Sequence, residues 1–513
     1  MKKIKIYASV LLLLLSGTAC KKALDINDND PNYLKDTEAK FLLPSGLAYS
    51  ASRVGGDFQL IGGFWSQHYT QNNNASQYRT LDQYNLTISS YNDTWSNMWS
   101  GALSDLKLAM QRASAKGEWH YYLAAEVMAA FDYHILNDFY GAIPVKEGLD
   151  FATYPQPKFD DSKVVNGIII SMLDDAISKA SQASALDPMG KEDFIFNGDI
   201  ENWVAFAKSL KLKILMRDFS TNQAAITTLL GDNLLAADAK MDVFIDAENK
   251  SNPLYEQDRR KLNNAGNMRA SNTLLKYLLA NQDPRIGAFY EKTILSSTID
   301  PETGKIVVDE ETGEPWPEYY GLEQGDYLAN EDISQTSRAV IKPTDPVFFM
   351  SAAEVAFLKA EAYARLGNVS EAKTNYDRGV TLAFERWNSA SLPLNAAPFL
   401  ASGGKYEFHS TAGLGGMLEQ IITQKWVAAA RSQAWDSFFD QNRTGYPLIS
   451  NVDTEDDEYV PGEYTIAVNS VLAAGKLPRR LLFPKRSSDY NPNTPSVVPI
   501  TTPMWWHKEA NQN

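Results

Sequence analysis

Between residues 348 and 387 the chain reads FFMSAAEVAFLKAEAYARLGNVSEAKTNYDRGVTLAFERW, and apolar residues recur there at helical spacing. Val355, Leu358, Ala362 and Leu366 fall on one face of a first helix, because residues three and four apart stack on the same side. Gly367-Asn368 ends that helix, since glycine tolerates the left-handed conformation that closes a helix. Ser370 is placed to cap a second helix, with Glu371 beside its positive N-terminal end. Ala372, Tyr376 and Val380 line the second helix.

Two antiparallel helices about a tight turn, with small alanines at the crossing and a bulky aromatic four residues on, make the tetratricopeptide pattern. One such pair cannot bury its own apolar face, so further pairs are expected. Amphipathic stretches at 95–113 and 119–139 predict one pair, and 163–183 with 200–219 another. Residues 414–441 predict one or two more helices. The expected fold class is therefore mostly all-α: tetratricopeptide-like helix pairs forming a right-handed superhelical scaffold, with long irregular insertions and minor β-hairpins. The insertions fall at about 241–345 and 388–413, with a tail from about 484 to 513 whose Pro, Ser and Asn content predicts an extended surface path. The β-branched run Ile306, Val307, Val308, between Thr-Gly turns, reads as a hairpin edge. Long loops inside a compact body usually carry function.

The amino terminus has a different pattern. Lys2, Lys3 and Lys5 precede an apolar run of only six residues, Val10 to Leu15, and then small residues end in Cys20. That run is far shorter than the roughly 20 residues needed to cross a bilayer, so 1–19 read as a cleaved secretory signal. Small residues ending in cysteine resemble a bacterial lipobox, in which the thiol takes a diacylglycerol and acyl chains such as palmitate complete the anchor. Gly17 stands where a lipobox usually has leucine, and ordinary signal cleavage near Ala19 is the alternative. Residues 20–36, rich in Asp and Asn, read as a lipidated tether, followed by a single domain over 37–513. Cys20 is the only cysteine, so no intrachain disulfide can form and the core must hold the fold.

The precursor carries a net charge of −15, and losing the three signal lysines makes it −18. A surface this acidic repels nucleic acid, so no nucleic-acid partner is expected. The five histidines are scattered with no zinc-ligand spacing, no phosphate-binding loop or nucleophile elbow occurs, and no cofactor or metal is expected. GLGG at residues 413–416 reads as a turn leading into a helix, and the acidic stretch 453–458 as a solvated loop. Carboxylates are numerous, and a glycosidase needs two of them about 5–10 Å apart, a separation that sequence does not show.

Several segments, in order, resemble the SusD/RagB family of outer-membrane nutrient-binding lipoproteins of Bacteroidota, and its SusD-like subgroup in particular. They are CKKALDINDNDPN at the lipid cysteine, NDFYGAIPV at 137–145 and NWVAFAKSLKLKILMR at 202–217, in which Lys213 stands where the family pattern has arginine. DPRIGAFY at 283–290, FFMSAAEVAFLKAEAY at 348–363, ITQKWVAAARSQAWDSFFDQNRTGYP at 422–447 and PRRLLFPKRSSDYN at 478–491 follow. The same segments have plain physical readings: Trp426 and Trp435 as core, and Asp283-Pro284-Arg285 as a turn whose arginine ties down a loop. The resemblance implies a non-catalytic protein on the outer membrane. It captures an oligosaccharide, or in some members a peptide, and sits as a lid on a SusC-type TonB-dependent transporter.

Sugars offer apolar ring faces and hydroxyl edges, so aromatics beside amides and guanidinium groups mark candidate contacts. Asn72, Asn73, Asn74, Gln77, Tyr78 and Arg79 form one such group in a predicted loop, with Trp65 and Tyr69 packing in a helix before it. Trp316, Tyr319 and Tyr320 in the middle insertion form the second. A surface-anchored glycoside hydrolase and a repeat scaffold that binds only protein are the competing readings; binding without product formation separates the first, and absence of any small-ligand binding the second.

Overall fold

The computed structural model describes residues 37–262, 266–301, 303–309, 312–329 and 331–508. The signal segment, Cys20 and the tether lie outside the described residues. Helices dominate: α1 Ala39–Arg53, α2 Gln59–Trp65, α3 Ser104–Lys116, α4 Trp119–Tyr140, α5 Ser162–Ser178, α6 Ile200–Leu215, α7 Phe219–Leu230, α8 Asn272–Ala280, α9 Ala352–Arg365, α10 Val369–Glu385, α11 Gly413–Ala429 and α12 Ala434–Thr444. Among the described residues, three two-stranded antiparallel ladders form. They are β1 (Tyr69–Gln71) with β5 (Met268–Ala270), β2 (Ala142–Ile143) with β3 (Asp160–Asp161), and β4 (Ala239–Met241) with β6 (Val347–Met350). Among the described residues no helix is long and apolar enough to cross a membrane.

The predicted helical pair is α9 and α10. Gly367 closes α9 at φ 77°, and Ala353, Ala360 and Ala364 of α9 pack with Ala372, Tyr376 and Val380 of α10 in one buried cluster. The cap differs from expectation. Asn368, not Ser370, starts α10, its side chain accepting the Glu371 N–H. Both residues are good caps, and the glycine turn places the first of them at the helix boundary.

Other expectations are corrected in detail. Residues 95–113 are not one helix: a helix over Asn92–Asn97 passes through a π-helical turn, Met98–Leu103, before α3. The stretch 163–183 breaks after α5 and resumes as Ala180–Ser184. The tail is not wholly extended, since Lys485–Tyr490 form a helix tied to the body where Arg486 meets Asp93. Tyr69 lies on strand β1 rather than in a helix with Trp65, because Gln67 takes a positive φ and turns the chain out of α2. The run 306–308 makes two isolated bridges, Ile299 with Ile306 and Val308 with Pro315. Within the insertion 241–345, α8 contributes Leu274, Leu275 and Leu278 to the main core.

That core contains buried charge. Lys213 of α6 lies 2.7 Å from Glu354 of α9 and 2.6 Å from Asp436 of α12. Lys425 of α11 lies 2.8 Å from Asp436 and 2.6 Å from Asp440, and Arg443 pairs with Glu361 and Asp440. Four helices thus interlock through ion pairs inside an apolar shell.

Asp132 is different, because it is buried in α4 and no cation pairs with it among the described residues. Ser50 of α1 donates to its Oδ2 at 2.6 Å, while Oδ1 is unpartnered. Burial pushes this carboxyl up to about 8, the serine offsetting part of the rise. A carboxyl whose folded pKa is raised contributes stability that is complete below its unfolded pKa of about 3.9 and is lost as pH climbs through the folded value. Asp132→Asn is accordingly expected to flatten the fall in melting temperature between about pH 4 and 8, measured side by side with the parent. An unchanged slope would contradict this account.

Candidate ligand-binding site

The candidate loop is held by distant chain. α2 packs against α12, and Ser66 at its end donates to the Ala434 carbonyl at 3.0 Å while its own carbonyl receives Trp426 Nε1 at 2.8 Å. β1 then pairs with β5, Tyr69 opposite Ala270 and Gln71 opposite Met268. Asp82 fastens the next turn. Its Oδ2 accepts from Thr70 Oγ1 at 2.8 Å and from the Gln71 N–H at 2.9 Å, and Oδ1 accepts from Gln324 Nε2. Burial raises this carboxyl to about 6, and its donors limit the rise. Through Asp82 and Gln324 the loop after α2 and the end of the middle insertion become one unit.

Asn73 extends that unit. Its Nδ2 donates to the carbonyls of Ala329 at 2.6 Å and Glu331 at 2.8 Å. Asn74, exposed beside it, reaches the Glu331 carbonyl at 3.3 Å. Arg79 donates to the Asn73 carbonyl at 2.8 Å and lays its guanidinium over the Tyr327 ring, 4.8 Å from the centroid. Glu331 in turn accepts from the Tyr320 hydroxyl at 3.3 Å, and the Tyr320 ring lies 5.6 Å from that of Trp316. Burial, then the Glu331 charge, pushes the Tyr320 phenol up to about 12, so it stays a neutral hydrogen-bond donor. Trp316 is fixed by its indole N–H on the Gln335 carbonyl at 2.8 Å. Half-buried rings and polar groups thus stand together on a surface built by two loops some 240 residues apart.

The structure therefore brings Asn73, Asn74 and Arg79 to Trp316 and Tyr320. It places the others elsewhere. Asn72 is buried, its amide N–H bonded to the Asn267 carbonyl. Tyr78 is buried with its hydroxyl on Asp258 at 3.0 Å, a loop-fixing role. Gln77 faces a separate polar cleft of about 640 Å³ with Ser89, Asn92 and Thr94. Tyr319 lines a different depression from the one beside Tyr320, with Leu279, Pro284 and Pro317. Tyr327 and Glu331 lie outside the sequence candidates, although Tyr327 is an aromatic of the same long insertion that pointed to Trp316, Tyr319 and Tyr320. No group of three His, Cys, Asp or Glu side chains suited to a metal occurs among the described residues.

A family model described as "Starch-binding associating with outer membrane" matches residues 35–465. The chain belongs to the SusD-like family. Solved structures with the SusD-like fold agree. A SusD homolog from Bacteroides uniformis is 22% identical, with a TM-score of 0.69, over 91% of this chain and 99% of that one. A SusD/RagB family protein from Bacteroides thetaiotaomicron is 21% identical, TM-score 0.67, over 92% and 99%. A Bacteroidetes SusD-like protein, AC2a, is 18% identical, TM-score 0.71, over 92% and 100%. No curated protein matches the sequence.

Proposed function

We propose that this SusD-like protein captures an oligosaccharide at the cell surface and delivers it, as a lid, to a SusC-type TonB-dependent transporter in the outer membrane. Lipid on Cys20 anchors it there, facing the exterior, and it breaks no bond in its ligand. The observation that carries the reading is the surface of Trp316, Tyr320 and Tyr327 rings with Asn74, Arg79 and Glu331 alongside, in a family described as starch-binding. Rings supply flat apolar platforms for sugar faces, and the amide and guanidinium groups address hydroxyl edges. Arg79 stacked on Tyr327 holds both groups in place before ligand arrives, which lowers the ordering cost of binding.

The test is calorimetric titration with maltoheptaose and with a panel of other glycans, followed by chromatography for products. A glycan that binds and is recovered intact supports the reading; cleavage, or no binding to any glycan, sinks it. Trp316→Ala combined with Tyr320→Ala should weaken binding by roughly a hundredfold, as each ring truncated at a contact centre costs upwards of about 1.4 kcal/mol. Both rings are part-buried and each holds a hydrogen bond, so the melting temperature is measured alongside and affinities are compared where the variant is fully folded.

A further inference from the structure

A second cleft, of about 600 Å³, opens between the C-terminal end of α1 and residues 241–261, and it shares no lining residue with the surface around Trp316. Its wall is apolar. Met241 is buried, Phe194 and Phe244 are part-buried, and Val243 and Ile245 stand on the lip, 49% and 51% exposed. The two phenylalanines differ from the rings of the core. Phe196 packs on Trp203 and Phe206, whereas neither Phe194 nor Phe244 meets another aromatic ring among the described residues.

The charges around this wall do not balance. Three cations line the cleft, Arg53, Lys250 and Lys261, against two carboxylates, Asp57 and Glu256. Both carboxylates are taken. Asp57 Oδ2 accepts from Arg53 Nη1 at 3.1 Å and from Thr94 Oγ1 at 2.6 Å. Glu256 Oε1 lies 3.1 Å from Arg260 Nε and accepts from the Ser251 N–H at 3.3 Å, and its Oε2 is closed to solvent. Neighbouring acids are engaged as well, Asp246 by Arg260 and Asp242 by Lys240, and Glu248 does not line the cleft.

Lys250 and Lys261 are left. Both are exposed, and among the described residues neither ammonium group has an ion pair or a hydrogen bond. The side-chain amides of Asn249 and Gln257, which also line the cleft, have no hydrogen bond there either. Two uncompensated positive charges and two free amide donors thus stand at an apolar wall, in a chain whose net charge is −15. The complement to that arrangement is a small anion with an apolar body.

We propose that this cleft binds a small aromatic carboxylate, its ring against Phe194 and Phe244 and its carboxylate toward Lys250 and Lys261. A ring suits the wall better than an alkyl chain, because it has fewer torsions to freeze and packs edge or face on phenylalanine. A glycan would set hydroxyls on apolar side chains, and an inorganic anion would leave the wall wet. Exposed ammonium groups are screened by water and salt, so ring contact supplies most of the affinity and charge supplies the selectivity. The site stands apart from the oligosaccharide surface, and either reading can fail without the other.

The experiment is calorimetric titration of the full chain with trans-cinnamate, with its neutral amide cinnamamide and with octanoate, and with maltoheptaose in parallel. Cinnamate should saturate the protein at millimolar concentration or below. It should bind about fivefold more tightly than cinnamamide or octanoate, the size expected of exposed charge pairs and of a preorganised ring. Lys250→Gln combined with Lys261→Gln, both at exposed positions, should erase the preference over cinnamamide, as should molar salt. Val243→Asp, at the lip, should weaken cinnamate about fivefold or more and leave maltoheptaose unchanged. No saturable binding of cinnamate, equal binding of cinnamamide or octanoate, or an undiminished preference in the double lysine variant would overturn the proposal. Loss of the maltoheptaose signal alone would count against the oligosaccharide reading instead.

Discussion

Lys425→Met should lower the unfolding free energy by about 3–5 kcal/mol, the cost of leaving buried charges without their partner. Lys425 is 4% exposed and serves Asp436 and Asp440 together. Burial alone would lower its pKa, but attraction from those two carboxylates outweighs burial and holds it above the usual lysine range. Asp436 shows the other half of the bargain. Burial would raise it, yet Lys213 and Lys425 hold it well below the usual carboxylate range. Methionine matches the length of lysine and leaves no cavity, so the loss reads charge rather than packing. Denaturant titration at pH 7 measures it. A second variant separates the two further: Lys425→Met with Asp440→Leu should recover part of the loss, because a well-packed apolar pair can replace a buried ion pair. A single variant as stable as the parent would show that water already reaches this cluster.

That network explains both what the sequence disclosed and what it hid. Val355, Leu358 and Ala362 of α9 announce a helix by spacing alone, and Trp426 and Trp435 are read correctly as core. Asp436, Asp440 and Arg443 carry the charges of a solvent-facing helix, yet all of them are buried. Their partners outside α12 lie on α6, α9 and α11, and pairings between separate helices, Lys213 with Asp436 the most distant, leave no local pattern. The same holds at the site. Three asparagines in a row look like a surface loop, but β1 pairs with β5 and draws Asn72 inside, while Asn73 becomes the fastener to Ala329 and Glu331. The chemistry of the site was legible as residue types; which of them face outward was decided by strand pairing. α1 went unread and α2 was read only at its Trp65 end, because Pro44, Gly46, Gly62 and Gly63 weaken the helical signal, although those glycines are there for contact.

Gly62→Ala should be among the most damaging single substitutions in the chain, and it should act on ligand binding as well as on stability. A Cβ at Gly62 would fall on the backbone nitrogen and Cα of Trp435 and on the Ala434 carbonyl carbon, far inside contact distance. Those are main-chain atoms at the start of α12, so no rotamer change can relieve the overlap. Either α2 or α12 must move. α12 is pinned by Lys213, Lys425 and Glu361 through its own charges, so α2 yields. The loop it carries, from Ser66 through the Asp82 tie to Asn73, then shifts away from Ala329 and Glu331. The expected cost is about 3 kcal/mol, the upper part of the range for overpacking. Maltoheptaose affinity should fall severalfold even under conditions where the variant is fully folded. Gly56→Ala is the control. Its added Cβ would meet Gln257 and Pro253 at an ordinary 3.6 Å, so both stability and binding should stay close to the parent. If Gly62→Ala behaved like Gly56→Ala in the same denaturant and calorimetric titrations, the packing of α2 on α12 could not be what sets the position of the binding loop.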